Sequence, residues 1–281
     1  MRILTFIDSS RTVQYPGQAP QPRRLVTIVR YPAPGRSGRS DVPNAAPERQ
    51  GGPFPLVIFG HGFAVTPGIY APLLRAWARA GYVVAAPIFP AGNANAAGGP
   101  NENDLVNQPG DMSFVITRML SLSAARQGTF AGLIDGRRIA VSGQSDGGDT
   151  ALAATYNARF RDHRIRAAMI LSGMKISGVA GYDFASPSVP LLAIQGTADT
   201  INPPASTYAA FDAAPRPKFL LKLLGAPHLA PYTEEEPQLS IVERATVAFL
   251  DRYLEGERGG LSRLAAAAKE VPGAAALTAD P

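Results

Sequence analysis

The chain has 281 residues, 46% hydrophobic and 17% charged, which suits one large domain or two small ones with a sizeable core. It contains no cysteine, which excludes disulfides, a thiol nucleophile and any thiolate metal site. Its net charge of +5 comes from scattered arginines such as Arg23, Arg24, Arg36, Arg39, Arg75 and Arg79, not from a basic stripe with interleaved aromatics, so no nucleic-acid partner is expected.

No apolar run is long enough to span a bilayer. The opening Met1-Arg2-Ile3-Leu4-Thr5-Phe6-Ile7-Asp8 is too short an apolar stretch for a signal peptide, so the chain is expected to be cytoplasmic, or secreted if a leader was removed. Residues 24–31 read as a strand, and the Pro-, Gly-, Arg-, Ser- and Asn-rich 33–53 as an exposed loop. The continuous apolar run 55–60 predicts a parallel strand buried on both faces. Helical periodicity over 69–80 stops at Gly81, and 82–87 is the next buried strand. Residues 91–110 break the rhythm, and a loop of that length points to a mobile rim. A helix over about 111–125 follows, then a strand at 138–142 and a helix at 146–157. Strands at 166–171, 190–195 and 218–224 alternate with helices near 204–212 and over 238–254. This alternation predicts an α/β fold with a mainly parallel central sheet and helices on both faces. Residues 1–256 read as a single domain without a large lid. The Ala/Gly-rich 257–281 reads as a tail with one short helix over 261–269 and a frayed remainder.

Residues 143–147, Gly-Gln-Ser-Asp-Gly, lie between the 138–142 strand and the following helix. G-x-S-x-G in strand–turn–helix context is the nucleophile elbow of α/β-hydrolases, with Ser145 at its tip. In a chain with 28 glycines the pentapeptide alone decides little. A serine hydroxyl needs a base, and there are three histidines. His163 sits in a polar stretch, while His61 and His228 each follow a strand, where open parallel sheets collect their ligands. The triad order of the elbow's fold, Ser then acid then His, selects His228. The acid is then Asp199, after the buried run 191–195 and a Gly turn, in preference to Asp183 in a Gly/Pro loop. Asp199 would hold the His228 tautomer. The two oxyanion donors are the backbone N–H groups of Asp146 and of Phe63, in the loop Gly60-His61-Gly62-Phe63-Ala64, with His61 as a brace.

Four segments taken together resemble the α/β-hydrolase superfamily: Gly60-His61-Gly62-Phe63, Gly143-Gln144-Ser145-Asp146-Gly147-Gly148, Gly196-Thr197-Ala198-Asp199-Thr200-Ile201-Asn202-Pro203 and Gly225-Ala226-Pro227-His228-Leu229-Ala230-Pro231. Over about residues 20–255 the likeness is to serine-type relatives of dienelactone hydrolases, which include cutinase-like, platelet-activating-factor-acetylhydrolase-like and chlorophyllase-like proteins. The resemblance implies a serine carboxylic-ester hydrolase acting through an acyl-enzyme on short to medium acyl esters, with no metal and no cofactor. The substrate would be a small-molecule or polymeric ester. Phe63, Gln144, Ile201, Leu229 and Tyr232 neighbour the catalytic segments and are the expected substrate-binding residues. Three departures bear on substrate. No cysteine nucleophile is present, Gln144 and Asp146 stand where cutinase-like enzymes carry His and Met, and no tryptophan follows the 166–171 strand. A carboxylate at 146 suits a helix N-terminus and would also disfavour anionic substrates. A polyester hydrolase, a thioesterase or acyltransferase, and a non-catalytic binding protein of the same fold remain as alternatives. Monomer and dimer are not distinguished.

Overall fold

The computed structural model describes residues 1–35, 38, 40–173, 181–184 and 188–281. Its strands are β1 (Arg2–Val13), β2 (Gln21–Arg30), β3 (Phe54–Gly60), β4 (Val83–Pro87), β5 (Ile134–Gln144), β6 (Ile165–Leu171), β7 (Leu191–Gly196), β8 (Lys218–Leu223) and β9 (Ala275–Asp280). They form one sheet in the order β1-β2-β4-β3-β5-β6-β7-β8-β9. Strands β4, β3, β5, β6, β7 and β8 run parallel, whereas β1, β2 and β9 join antiparallel. The fold is thus α/β with a mostly parallel sheet, as the alternation of elements predicts.

The helices are α1 (Ala71–Arg79), α2 (Gln108–Ala124), α3 (Asp146–Tyr156), α4 (Pro204–Ala213), α5 (Gln238–Leu254) and α6 (Gly260–Lys269). Strand alternation assigns them to faces. Val57 and Phe59 of β3 pack with α1, α5 and α6, while Leu56 and Ile58 pack with α2, α3 and α4. All seven residues of β3 are buried, which is why 55–60 reads as an unbroken apolar run. Helix α1 places Leu73, Leu74 and Trp77 on its buried side and ends before Gly81, whose φ of +105° suits glycine. Trp77 donates its indole N–H to Thr246 Oγ1 at 2.8 Å, which ties α1 to α5.

Three regions depart from the sequence reading. Strand β1 was not expected, because its buried residues are few and alternate with exposed ones along an edge. The tail does not fray. Helix α6 forms where expected, but 275–280 is the ninth strand, paired with β8 and packing Ala275 and Leu277 on the core. The reason is that β8 would otherwise present a row of unpaired backbone groups. Finally, the 91–110 loop is tied down at both ends. Ala64 N–H donates to Gly92 O at 2.9 Å and Ala94 N–H to Val65 O at 3.2 Å. At the other end a short 3-10 turn, Glu102–Asn107, is held by Arg23, whose buried guanidinium contacts the carboxylates of Asp104 and Asp111 at 2.8 Å. Breaking such a buried charge pair is costly, so this end is an anchor.

Candidate active site

Ser145 occupies the turn between β5 and α3 with φ +56° and ψ −124°, a conformation that costs an L-residue free energy and persists only when its surroundings hold it. Those surroundings are backbone. Ser145 N–H donates to Leu171 O at the end of β6, and Ser145 O accepts from Gly148 and Asp149 at the start of α3. The flanking glycines are sterically required. A Cβ on Gly143 would lie 2.0 Å from Gly147 O, and one on Gly147 would lie 2.0 Å from Gly60 O. The strained turn therefore sits directly on the end of β3.

That contact brings the 60–64 loop to the serine. A Cβ on Gly62 would lie 3.3 Å from Ser145 Cβ. The loop's peptides are fixed one by one. Gly62 N–H donates to the Tyr70 hydroxyl at 3.3 Å, and Ala64 N–H donates to Gly92 O. Between them, Gly62 O lies 2.7 Å from His61 Nδ1, while Phe89 N–H donates to His61 Nε2 at 3.0 Å. Accepting at Nε2 makes Nδ1 the protonated nitrogen of a neutral ring. Burial pushes His61 down to about 4, so it keeps that form. The peptide is planar, so fixing Gly62 O also fixes the opposite direction of the Phe63 N–H. Among the described residues no acceptor takes the Phe63 N–H or the Asp146 N–H, the latter a free donor of the first turn of α3. His61 is thus the brace that the sequence suggests.

Asp199 and His228 meet on the loops after β7 and β8, with His228 against Gln144, the residue before Ser145. Asp199 Oδ2 lies 2.8 Å from His228 Nδ1. Its Oδ1 accepts from Ile201 N–H and Asn202 N–H, at 2.9 and 2.8 Å, and Gln195 Nε2 donates to Oδ2 at 3.0 Å. Thr207 holds Gln195 by donating to its Oε1, and Asn202 Nδ2 donates to Ser172 O. The two loops touch because residue 196 is glycine: a Cβ there would lie 2.4 Å from Ala226 O. Asp183, the competing acid, instead accepts from Ala158 N–H. His163 is exposed and distant in the fold, before β6.

The remaining expected residues divide. Phe63 and Ile201 are exposed and Leu229 is half-buried, so all three are available to a ligand. Tyr232 is not: it is fully buried, with its hydroxyl 2.8 Å from Ser172 Oγ and donating to Ile194 O. An aromatic ring with a polar tip next to a catalytic segment reads the same in sequence whether it faces in or out. Gln144 is buried as well, and its amide lies on His228 rather than on open space: Nε2 is 3.1 Å from His228 Nε2 and 3.1 Å from His228 O. Tyr70 donates to Gln144 Oε1 at 2.7 Å. Among the described residues the partner of His228 Nε2 is therefore Gln144, not Ser145. Tyr70, Gln195 and Thr207 were missed in sequence because each lies inside an ordinary helix or strand pattern. The stretch after β6 that lacks a tryptophan, 174–176, lies outside the described residues.

Asp146 is buried at the start of α3 with Oδ2 unpartnered, and burial, reinforced by Glu102, pushes its carboxyl up to about 7. The folded protein holds this proton more tightly than the unfolded chain does. Its contribution is thus greatest below about pH 4 and is lost as pH rises to about 7. Asp146→Asn is expected to remove that part of the slope, gaining relative to wild type at pH 8 but not at pH 4. Urea midpoints at the two pH values check it.

A family model described as chlorophyllase matches residues 42–193, which span β3 through β6, reach the first residues of β7 and include the turn at Ser145. No curated protein matches the chain.

Proposed function

Because the chain belongs to the chlorophyllase family, a family of ester hydrolases within the α/β-hydrolase superfamily, we propose that it is a serine carboxylic-ester hydrolase with Ser145, His228 and Asp199 as its triad. The observation that supports this reading is the 2.8 Å contact of Asp199 Oδ2 with His228 Nδ1, with His228 held against Gln144, the residue before a serine at φ +56°. Asp199 keeps the proton on Nδ1 and leaves Nε2 a lone pair. Ser145 Oγ adds to the ester carbonyl while His228 Nε2 takes its proton. The tetrahedral oxyanion is met by the N–H groups of Phe63 and Asp146. Collapse expels the alcohol, which receives that proton from His228. Water then gives a proton to His228 and attacks the acyl-enzyme, and collapse releases the carboxylic acid as Ser145 Oγ takes that proton back from His228.

Phe63, Ile201 and Leu229 form the apolar surroundings, and short to medium acyl chains fit a site with no large lid among the described residues. Among those residues no helix is long and apolar enough to cross a membrane. We also read residues 1–256 and the strand-forming tail as one domain. The test is a fluorophosphonate probe followed by a panel of p-nitrophenyl esters, thioesters and amides of graded chain length. Covalent labelling at Ser145 and fastest turnover of the esters are expected. No labelling would mean a binding protein of the same fold, and faster turnover of thioesters or amides would move the reaction class.

A further inference from the structure

We propose that Gln144 is a positioning residue for His228: it holds the base nitrogen in the resting protein and yields it to Ser145 when an ester enters. This rests on the ester-hydrolase reading above and gives Gln144 a place in it other than substrate contact. The orientation of the amide is set by its partners. The His228 carbonyl can only accept, so the atom 3.1 Å from it is nitrogen. The Tyr70 hydroxyl accepts from Gly62 N–H and so has its proton for Gln144 Oε1. The second amide hydrogen then faces His228 Nε2, which must present a lone pair. That is the tautomer a base requires, with Nδ1–H on Asp199.

The same bond opposes the next step. Once Nε2 carries a proton it faces an N–H donor, and two donors repel. Gln144 therefore favours neutral His228 over the imidazolium, and its amide must swing away as the Ser145 proton arrives. Tyr70 links this movement to the oxyanion loop, because its hydroxyl touches both Gly62 and Gln144. The other ionisable groups on the converging segments are Asp199, Asp146, Tyr70 and Tyr232. Asp199 bonds Nδ1 in wild type and variants alike, and burial raises both tyrosines, so they stay neutral donors.

The test is a ¹⁵N-histidine NMR titration, readable because there are only three histidines, with His61 buried and His163 exposed as references. Wild type is expected to show His228 Nε2 as an unprotonated acceptor. In Gln144→Met, which keeps length but removes the donor, the His228 midpoint rises by about half to one pH unit, the size of one neutral hydrogen bond. In Gln144→Glu it rises further, since a carboxylate accepts from Nε2–H. Tyr70→Phe, which removes a single hydroxyl, moves it the same way by less, and serves if Gln144→Met does not fold. The acid limb of kcat/KM moves in parallel, while KM on the alkaline plateau stays within about twofold. An unchanged or lowered midpoint in Gln144→Met, or in Tyr70→Phe where Gln144→Met does not fold, overturns the proposal whatever the activity. Failure of wild type to react with the fluorophosphonate overturns the ester-hydrolase reading instead, and the titration still decides whether Gln144 holds the base nitrogen.

Discussion

Ser145→Ala is expected to lower kcat on p-nitrophenyl esters by about 10⁵–10⁶-fold and to abolish fluorophosphonate labelling, while the circular dichroism spectrum and urea midpoint stay close to wild type. The size follows from the proposed role. Without Oγ no acyl-enzyme forms, and the Phe63 and Asp146 donors alone give only the small residual rate of a polarised carbonyl. The backbone supplies a sharper control. Ser145 sits at φ +56°, where a Cβ is disfavoured whatever its substituent. Ser145→Gly is therefore expected to be as inactive as the alanine variant, yet more stable by about 1 kcal/mol. A residue kept for activity at a cost in stability shows this pair of results. A serine present for packing shows neither, and retained turnover in both variants would end its assignment as nucleophile.

Gly147→Ala is the second large effect, and it falls on the fold. The new Cβ would lie 2.0 Å from Gly60 O, 2.4 Å from Gly60 C and 2.9 Å from His61 O. All three are backbone atoms at the end of β3, so no side-chain rotation relieves the clash. Either α3 lifts from the sheet or the 60–64 loop moves. A loss of about 3–5 kcal/mol is expected, at the severe end for a single substitution. Any folded remainder should also lose activity, since the displaced loop carries the Phe63 N–H. Gly68→Ala is the comparison: its Cβ meets only Thr66 Oγ1, at 3.6 Å, an ordinary contact. It should change stability by less than about 1 kcal/mol. Equal urea midpoints for the two variants would refute the steric account.

Much of this was legible in the residues, for identifiable reasons. The elbow shows because a serine at positive φ, pressed between two strands and a helix, forces glycine on either side, and that demand is local. That Asp199 and His228 meet was legible because each follows a strand whose apolar run is unmistakable, and chain order paired them. What stayed hidden has no local signature. The Gln144–His228 contact joins residues 84 apart, and the Tyr70 hydroxyl looks like one more aromatic in a helix. Tyr232 reads as a substrate-binding residue from its neighbours in sequence, although packing puts it in the core. Strands β1 and β9 escaped because sheet edges need alternation and backbone pairing more than apolar length. The 91–110 loop looked free because its anchors, Gly92 and Asp104, bond to partners far away in sequence.

In the proposed mechanism two roles fall on Phe63, and the 60–64 loop separates them. The direction of the Phe63 amide is fixed by the peptides on either side, through His61, Tyr70 and Gly92, and owes nothing to its own ring. The ring is 37% exposed, and the hydrogen bonds that hold the loop do not use it. In the proposed mechanism a change of that ring alters which acyl groups are welcome and leaves the N–H that meets the oxyanion in place. For variant libraries, positions 63 and 201 are the exposed places to diversify, while Gly143 and Gly147 leave no room for a Cβ.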